Sequence, residues 1–277
     1  MDGMHHHNGA TSLPWTSLTA LLLLIAAGGA YLLAAQHARR RNPARGWSTW
    51  RTTSFVTGLA LLAVGLLPPL DSTAHTDFRA HMAQHMLIGM YAPLALVLAA
   101  PLTLLLRTLP TSTARKVTAI LHSRPAGVLA HPATASALST GSLAALYFTP
   151  LYNTASGQPA GHWLIHAHFL TSGCLLAHAI AGPDPAPTRP GVRTRLVYLG
   201  AAITAHALIA QAMYGGIFID IHAPINQVQQ GAEIMYYGGD IAELLLAATL
   251  ITTWRPQRRT KTATTTRNPA TSTPAPQ

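Results

Sequence analysis

Residues 75 to 91 read HTDFRAHMAQHMLIGMY and set three histidines and three methionines at the front of a long apolar run. His81 and His85 are four residues apart, so on a helix they share a face, a spacing at which two imidazoles can grip one metal ion. Met82, Met86 and Met90 form the adjoining stripe. Thioethers select soft Cu(I) and imidazole suits copper and zinc, so a mixed His/Met set points toward copper more than toward magnesium or calcium. A second group lies in HWLIHAHF, where His162 and His166 share a face. His168 points about 160 degrees away from His166 at about 100 degrees per residue. A straight helix therefore turns two of the three toward one ion and leaves the third to packing or hydrogen bonding.

A third group is acidic. Gln229, Glu233, Asp240 and Glu243 fall within a sector about 80 degrees wide if their helix begins by residue 229, with Asp240 and Glu243 about 12 and 16 Å below the outer surface of a span that starts near 232. Charged groups at such depth in a membrane face the bundle interior and are functional candidates by default. No Lys or Arg occupies a span at that depth. The available partners are a bound cation, a protonated histidine such as His206, or a proton on the carboxyl itself. Each group also has a plain alternative: interfacial polar histidines, gap-filling methionines, and carboxyls that fix helix packing. Cys174 is the single cysteine, so copper handling in this chain uses His, Met and carboxylate.

The elements that must position these residues are membrane helices. Of the 277 residues, 49% are hydrophobic and 9% charged, with mean hydropathy +0.26, a membrane composition. Seven apolar runs, roughly 13–36, 52–70, 80–106, 133–151, 162–182, 196–219 and 232–254, each approach the twenty or so residues that a helix needs to cross about 30 Å of hydrocarbon. No alternation of the kind a β-barrel shows is present. The expected fold is an all-α integral membrane protein, a seven-transmembrane helix bundle spanning 13–254. Short segments flank it, an outer tail over 1–12 and a basic, unfolded tail over 255–277. Pro93 and Pro101 inside the third run predict kinks or local unwinding.

Basic residues favour cytoplasmic loops. With seven spans, 17 of the 18 Lys and Arg fall on one side, and Arg79 alone falls on the other. That places the N-terminus outside and the C-terminus in the cytoplasm. The formal charge of +10 is then topological, and nucleic acid is not an expected partner. Asp184 is the one acid on the inner side. Ten histidines lie on the outer side, among them His5, His6, His7, His75 and His222. A basic inner face is what any membrane protein needs; a histidine-rich outer face is not.

The stretch AHMAQHMLIGMYAPLALVLAAPLTLLLRTL, the block HWLIHAHFLTSG leading into GPDPAP, the AHALIA segment and NQVQQGAEIMYYGGDIAE resemble, in that order, the polytopic CtaG family of cytochrome c oxidase assembly proteins. The resemblance covers most of residues 75 to 259, and the HMxQHM block is its most specific part. It implies a seven-helix protein of the bacterial plasma membrane that assists copper delivery to a haem-copper oxidase subunit. It also implies that the family's histidines fall on His81, His85, His162, His168 and His206 and its seventh-helix acid on Asp240. His166 is a local addition by this comparison. Position 240 is Asp where the family pattern has Glu, and Ala242 stands where it has Pro.

The resulting expectation is a non-enzymatic assembly factor that holds copper transiently. His81, His85, His162, His168, Asp240, Met82 and Met86 serve as ligands, and His166, His206, Glu233 and Glu243 support them. Its partners are the oxidase subunit, the bilayer, and a periplasmic or extracellular copper donor. Three other readings stay open. One is a b-type cytochrome with bis-histidine haem between helices; another is a transporter with a midplane His/acid relay; the third is a chaperone acting by contact alone.

Overall fold

The computed structural model describes residues 15–186 and 189–253, and every regular element among them is helical. The expected tails, including His5 to His7, lie outside the described residues. Twelve helices run in order. They are α1 Trp15–Arg41, α2 Thr49–Leu66, α3 Leu70–Ala74, α4 Phe78–Leu98, α5 Pro101–Thr108, α6 Thr111–Leu121 and α7 Arg124–Leu129, then α8 over 132–147, α9 Leu151–Ser156, α10 Pro159–Ala181, α11 Val192–Tyr214 and α12 Ile225–Thr253. Five of them, α1, α4, α10, α11 and α12, are long and apolar enough to cross a bilayer, which makes this a multi-pass membrane protein. The expected runs at 52–70 and 133–151 fall on shorter elements. One is α2, with 18 residues and Arg51 in its first turn; the other is α8, built from pieces of five, five and six residues.

The expected third span is interrupted twice, at its prolines. Residues Leu87–Tyr91 form a π-helical turn, with the Ala92 N–H bonded to the Leu87 carbonyl five residues back. Pro93 has no N–H to give to the Gly89 carbonyl, and a widened turn accommodates its ring. A Cβ on Gly173 would collide with that same Gly89 carbonyl oxygen. Glycine at 173 therefore lets α10 lie directly against the widened turn of α4, the kind of close approach on which packing in lipid depends.

The second interruption follows Leu98, where Ala100 takes a left-handed conformation (φ 53°) and Pro101 opens α5. The amides at the start of α5 need an acceptor, and the sequence supplies one from far away. Asp184, 2% exposed, accepts from Leu102 N at 3.1 Å, Thr103 N at 2.8 Å and the Thr103 hydroxyl at 2.5 Å. Arg189 in turn donates to the Asp184 and His178 carbonyls. Residues 182–186 and Arg189 thus tie the start of α5 to the end of α10.

Among the described residues the buried apolar side chains form several clusters, of which two are the largest. One joins Phe78, Met82, Met86, Tyr147, Phe169, Met213 and Met235; the other joins Leu94, Val97, Leu176, Ile180, Leu199 and Leu250. Helix α4 takes part in both, so its polar residues are held between α2, α10 and α12.

Candidate metal centre

At the end where α1 and α4 begin, a cleft is lined by Thr16, Asp71, His75, Ser156, His162 and His166, with Leu66 and Trp163 at its apolar side. Within it Asp71, His75 and His162 each present one ligand atom, all within 4.8 Å of one another. Metal–nitrogen and metal–oxygen bonds of about 2.0–2.2 Å put neighbouring ligands roughly 3–4 Å apart, so small side-chain rotations close this group on one ion.

Its parts are preset by neighbours. The His75 Nδ1–H donates to the Asp71 carbonyl at 2.7 Å, which fixes the tautomer and leaves Nε2 with a free lone pair, the arrangement that metal-ligating histidines use. The carboxylate of Asp71 accepts from Gln84 Nε2 at 3.0 Å, and that amide also donates to the Gly65 carbonyl at 2.8 Å. Gln84 is fully buried, so the glutamine of HMAQHM acts as the strut that aims the acid. His162 Nε2 stands 3.5 Å from Asp71 Oδ1. Burial works to raise the Asp71 carboxyl, but the contacts of His162 and Gln84 outweigh it and hold the group below the usual carboxylate range. It is therefore an anion that accepts a cation readily. His166 continues the group inward, its ring 4.2 Å from that of His162 and its Nε2 unpartnered. Unpartnered buried ring nitrogens of this kind call for a ligand or a proton acceptor.

The other residues singled out from the sequence are distributed differently. His81 is buried beside the cleft, with Nε2 3.2 Å from the Tyr147 hydroxyl and its ring 4.9 Å from that of Tyr152. His85 packs edge-on to Phe169 with both ring nitrogens unpartnered. Met82 and Met86 sit in the apolar core, where Met86 faces Gly238 of α12, and the structure does not bring their sulfurs to the cleft. His168 turns away from His166, and its Nε2–H donates to the Leu138 carbonyl in the π-helical turn of α8 at 3.2 Å. Glu233 is exposed and lines a separate cleft with Gln211, Tyr214 and Tyr236. Asp240 is half-buried on α12, whereas Glu243 is buried and pairs with His206, Oε1 to Nδ1 at 3.8 Å.

Asp71, His75 and Gln84 had no place in the ligand set drawn from the sequence. Asp71 lies in the first turn of the five-residue helix α3 and His75 just past its end, and their convergence with His162 crosses some ninety residues of chain. One signal was available, since the acid and histidine are four residues apart on the approach to α4 (LDSTAH).

A multi-pass helical membrane protein with an imidazole–carboxylate cleft at one end of its bundle is the class that fold and site define. Residues 29–257 match the family described as cytochrome c oxidase caa3 assembly factor (Caa3_CtaG), and the chain belongs to that family. Among curated proteins it is 32% identical over 245 residues to one from Mycobacterium bovis and equally to one from Mycobacterium tuberculosis, each described as an uncharacterized protein. A Mycobacterium leprae protein of the same description is 32% identical over 186 residues, 65% of this chain and 28% of its own. The first two alignments cover 82% of this chain but 37% of each relative, so the chain spans little more than a third of their length. No solved structure matches it.

Proposed function

We propose that the protein is a non-catalytic assembly factor for a haem-copper oxidase that holds copper, as cargo, at Asp71, His75 and His162. Family membership supports the assembly role. The observation that carries the copper reading is the convergence of these three ligands within 4.8 Å, with the His75 tautomer already set. Two imidazoles and a carboxylate form an N/N/O set, and among first-row divalent ions such a set binds Cu(II) most tightly. No thiolate contributes, as suits a protein that must release its ion. The cleft's position, partly open and flanked by the exposed His75, lets a donor outside the membrane reach it and an oxidase subunit receive from it.

The surrounding topology in this proposal has seven spans in a bacterial plasma membrane, N-terminus outside and C-terminus cytoplasmic. The two shorter helical segments, α2 and α8, supply the second and fourth crossings, and the cleft then opens on the outer face. The test is the metal content of detergent-purified protein from copper-supplemented cells, with copper, zinc and iron read together by mass spectrometry. The wild type should carry copper at the cleft, and a triple variant Asp71→Asn, His75→Gln, His162→Gln should lose one equivalent while remaining monodisperse. Iron in place of copper, or copper unchanged in the triple variant, contradicts the proposal.

A further inference from the structure

Resting on the copper reading above, we propose that the bundle holds a second, internal station for the same class of cation, formed by His85 of α4, His206 of α11 and Glu243 of α12. All three are nearly fully buried, at 5%, 3% and 4% exposure. Both ring nitrogens of His85, Nε2 of His206 and Oε2 of Glu243 have no hydrogen-bond partner. Four orphaned polar atoms on three neighbouring helices inside an apolar bundle carry a desolvation penalty that nothing nearby offsets. Other polar groups of the interior do find partners, Gln84 Nε2 in a carbonyl and a carboxylate and Asp184 in two amides and a hydroxyl, while Gln84 Oε1 and His166 Nε2 are further buried atoms without one. What marks this place is that unpartnered atoms of His206 and Glu243 belong to two side chains that already face one another across 3.8 Å.

Backbone geometry makes room for the imidazoles. A Cβ on Gly239 would fall on the His206 ring, and one on Gly89 would stand 3.2 Å from Cε1 of His85. The His206 ring lies directly against the bare backbone of α12, one turn from Glu243. His206 Nδ1 and Glu243 Oε1, 3.8 Å apart, already form a bite that a cation at about 2.0–2.2 Å from each would span. The His85 ring packs over Gly89, and Gly89 and Glu243 line one small cavity, so His85 is the third donor on this side of the bundle. His166 borders His162 and joins this station to the outer cleft.

Two imidazoles with a carboxylate select a borderline transition cation such as copper over a hard ion, which would require several oxygen ligands. The Met86 thioether, packed against Gly238 beside Gly239, favours the Cu(I) state on this side of His166. The outer cleft among the described residues has no sulfur ligand, so it prefers Cu(II) and holds Cu(I) through its imidazoles less tightly than the inner station does. The inner station is thus where an ion taken up at the cleft rests once reduced, the electron coming from a thiol or ascorbate-type reductant outside the protein.

The test counts Cu(I) bound to the full chain in detergent, under ascorbate and without oxygen, against a chromophoric Cu(I) chelator. The wild type should hold two equivalents. The triple variant at Asp71, His75 and His162 should keep one, and the near-isosteric variants His206→Gln and Glu243→Gln should each lose one. If neither inner variant stays monodisperse, the triple variant carries the test by itself through its one remaining equivalent. A triple variant that binds no Cu(I), or inner variants that still bind two, overturns the station. A single wild-type equivalent that only the inner variants remove would support the station and overturn the outer cleft.

Discussion

The Asp71–His75–His162 cleft and the buried His206–Glu243 pair use the same residue types in opposite settings. In the cleft, ligands stand at the ends of elements and are held by partners: a backbone carbonyl sets His75, and Gln84 aims Asp71. In the interior, His85, His206 and Glu243 project from the middle of long helices, and several of their polar atoms meet nothing. Under the proposed copper reading, the difference assigns each region its part. Preset donors near solvent favour rapid capture, whereas unsatisfied donors in an apolar bundle favour retention, because the ion itself satisfies them.

Substitutions that disturb one region and spare the other sharpen this contrast. The largest expected effect comes from Gln84→Leu, which removes the strut from Asp71 without touching a ligand. Losing such an outer partner lowers metal affinity about 10–100-fold, and a Cu(II) titration should show it while the internal Cu(I) equivalent stays. Next comes Gly173→Ala, whose new Cβ meets the Gly89 carbonyl and wedges α10 from α4. Overpacking of that kind costs about 1–3 kcal/mol, to be read in chemical denaturation, and it should loosen the interior while the cleft keeps its copper.

A smaller effect is expected at Asp77, which caps α4 by accepting from the Arg79 amide at 2.8 Å. Asp77→Ala should cost about 1 kcal/mol. The side-chain bond from Arg79 also holds the Asp77 carboxyl down at about 2. Because this folded value lies below the unfolded one, the contribution is complete above roughly pH 4 and fades as pH falls toward 2. Screening at this exposed pair keeps it small, and a pH series of denaturation midpoints for wild type and variant checks it. The smallest effect on the cleft is expected from Met82→Leu, a volume-conserving swap in the apolar core that should leave copper at the cleft unchanged. A loss of cleft copper in that variant would break the contrast drawn here.

Much of the framework was legible in the sequence because hydrocarbon imposes length and polarity on each span. The family resemblance, the interruptions at Pro93 and Pro101, and the shared face of His162 and His166 were all visible in residue order and spacing. The cluster of Asp71, His75 and His162 was not. Helical spacing reports which residues share a face but not what that face meets, and Met82 and Met86 at helical spacing look the same whether they face an ion or a core. His81 and His85 share a face, yet one reaches Tyr147 and the other Phe169. Asp71 and His75 belong to a connection too short to show a period, and only tertiary structure brings them to His162.

The central claim is that Asp71, His75 and His162 hold copper through nitrogen and oxygen alone. X-ray absorption at the copper edge, on protein loaded with one equivalent of Cu(II), tests it most directly. The account predicts two imidazoles and an oxygen ligand, with no sulfur in the first shell, and loss of that spectrum in the Asp71→Asn, His75→Gln, His162→Gln variant. Sulfur scattering from a thioether, or an unchanged spectrum in the variant, would contradict it.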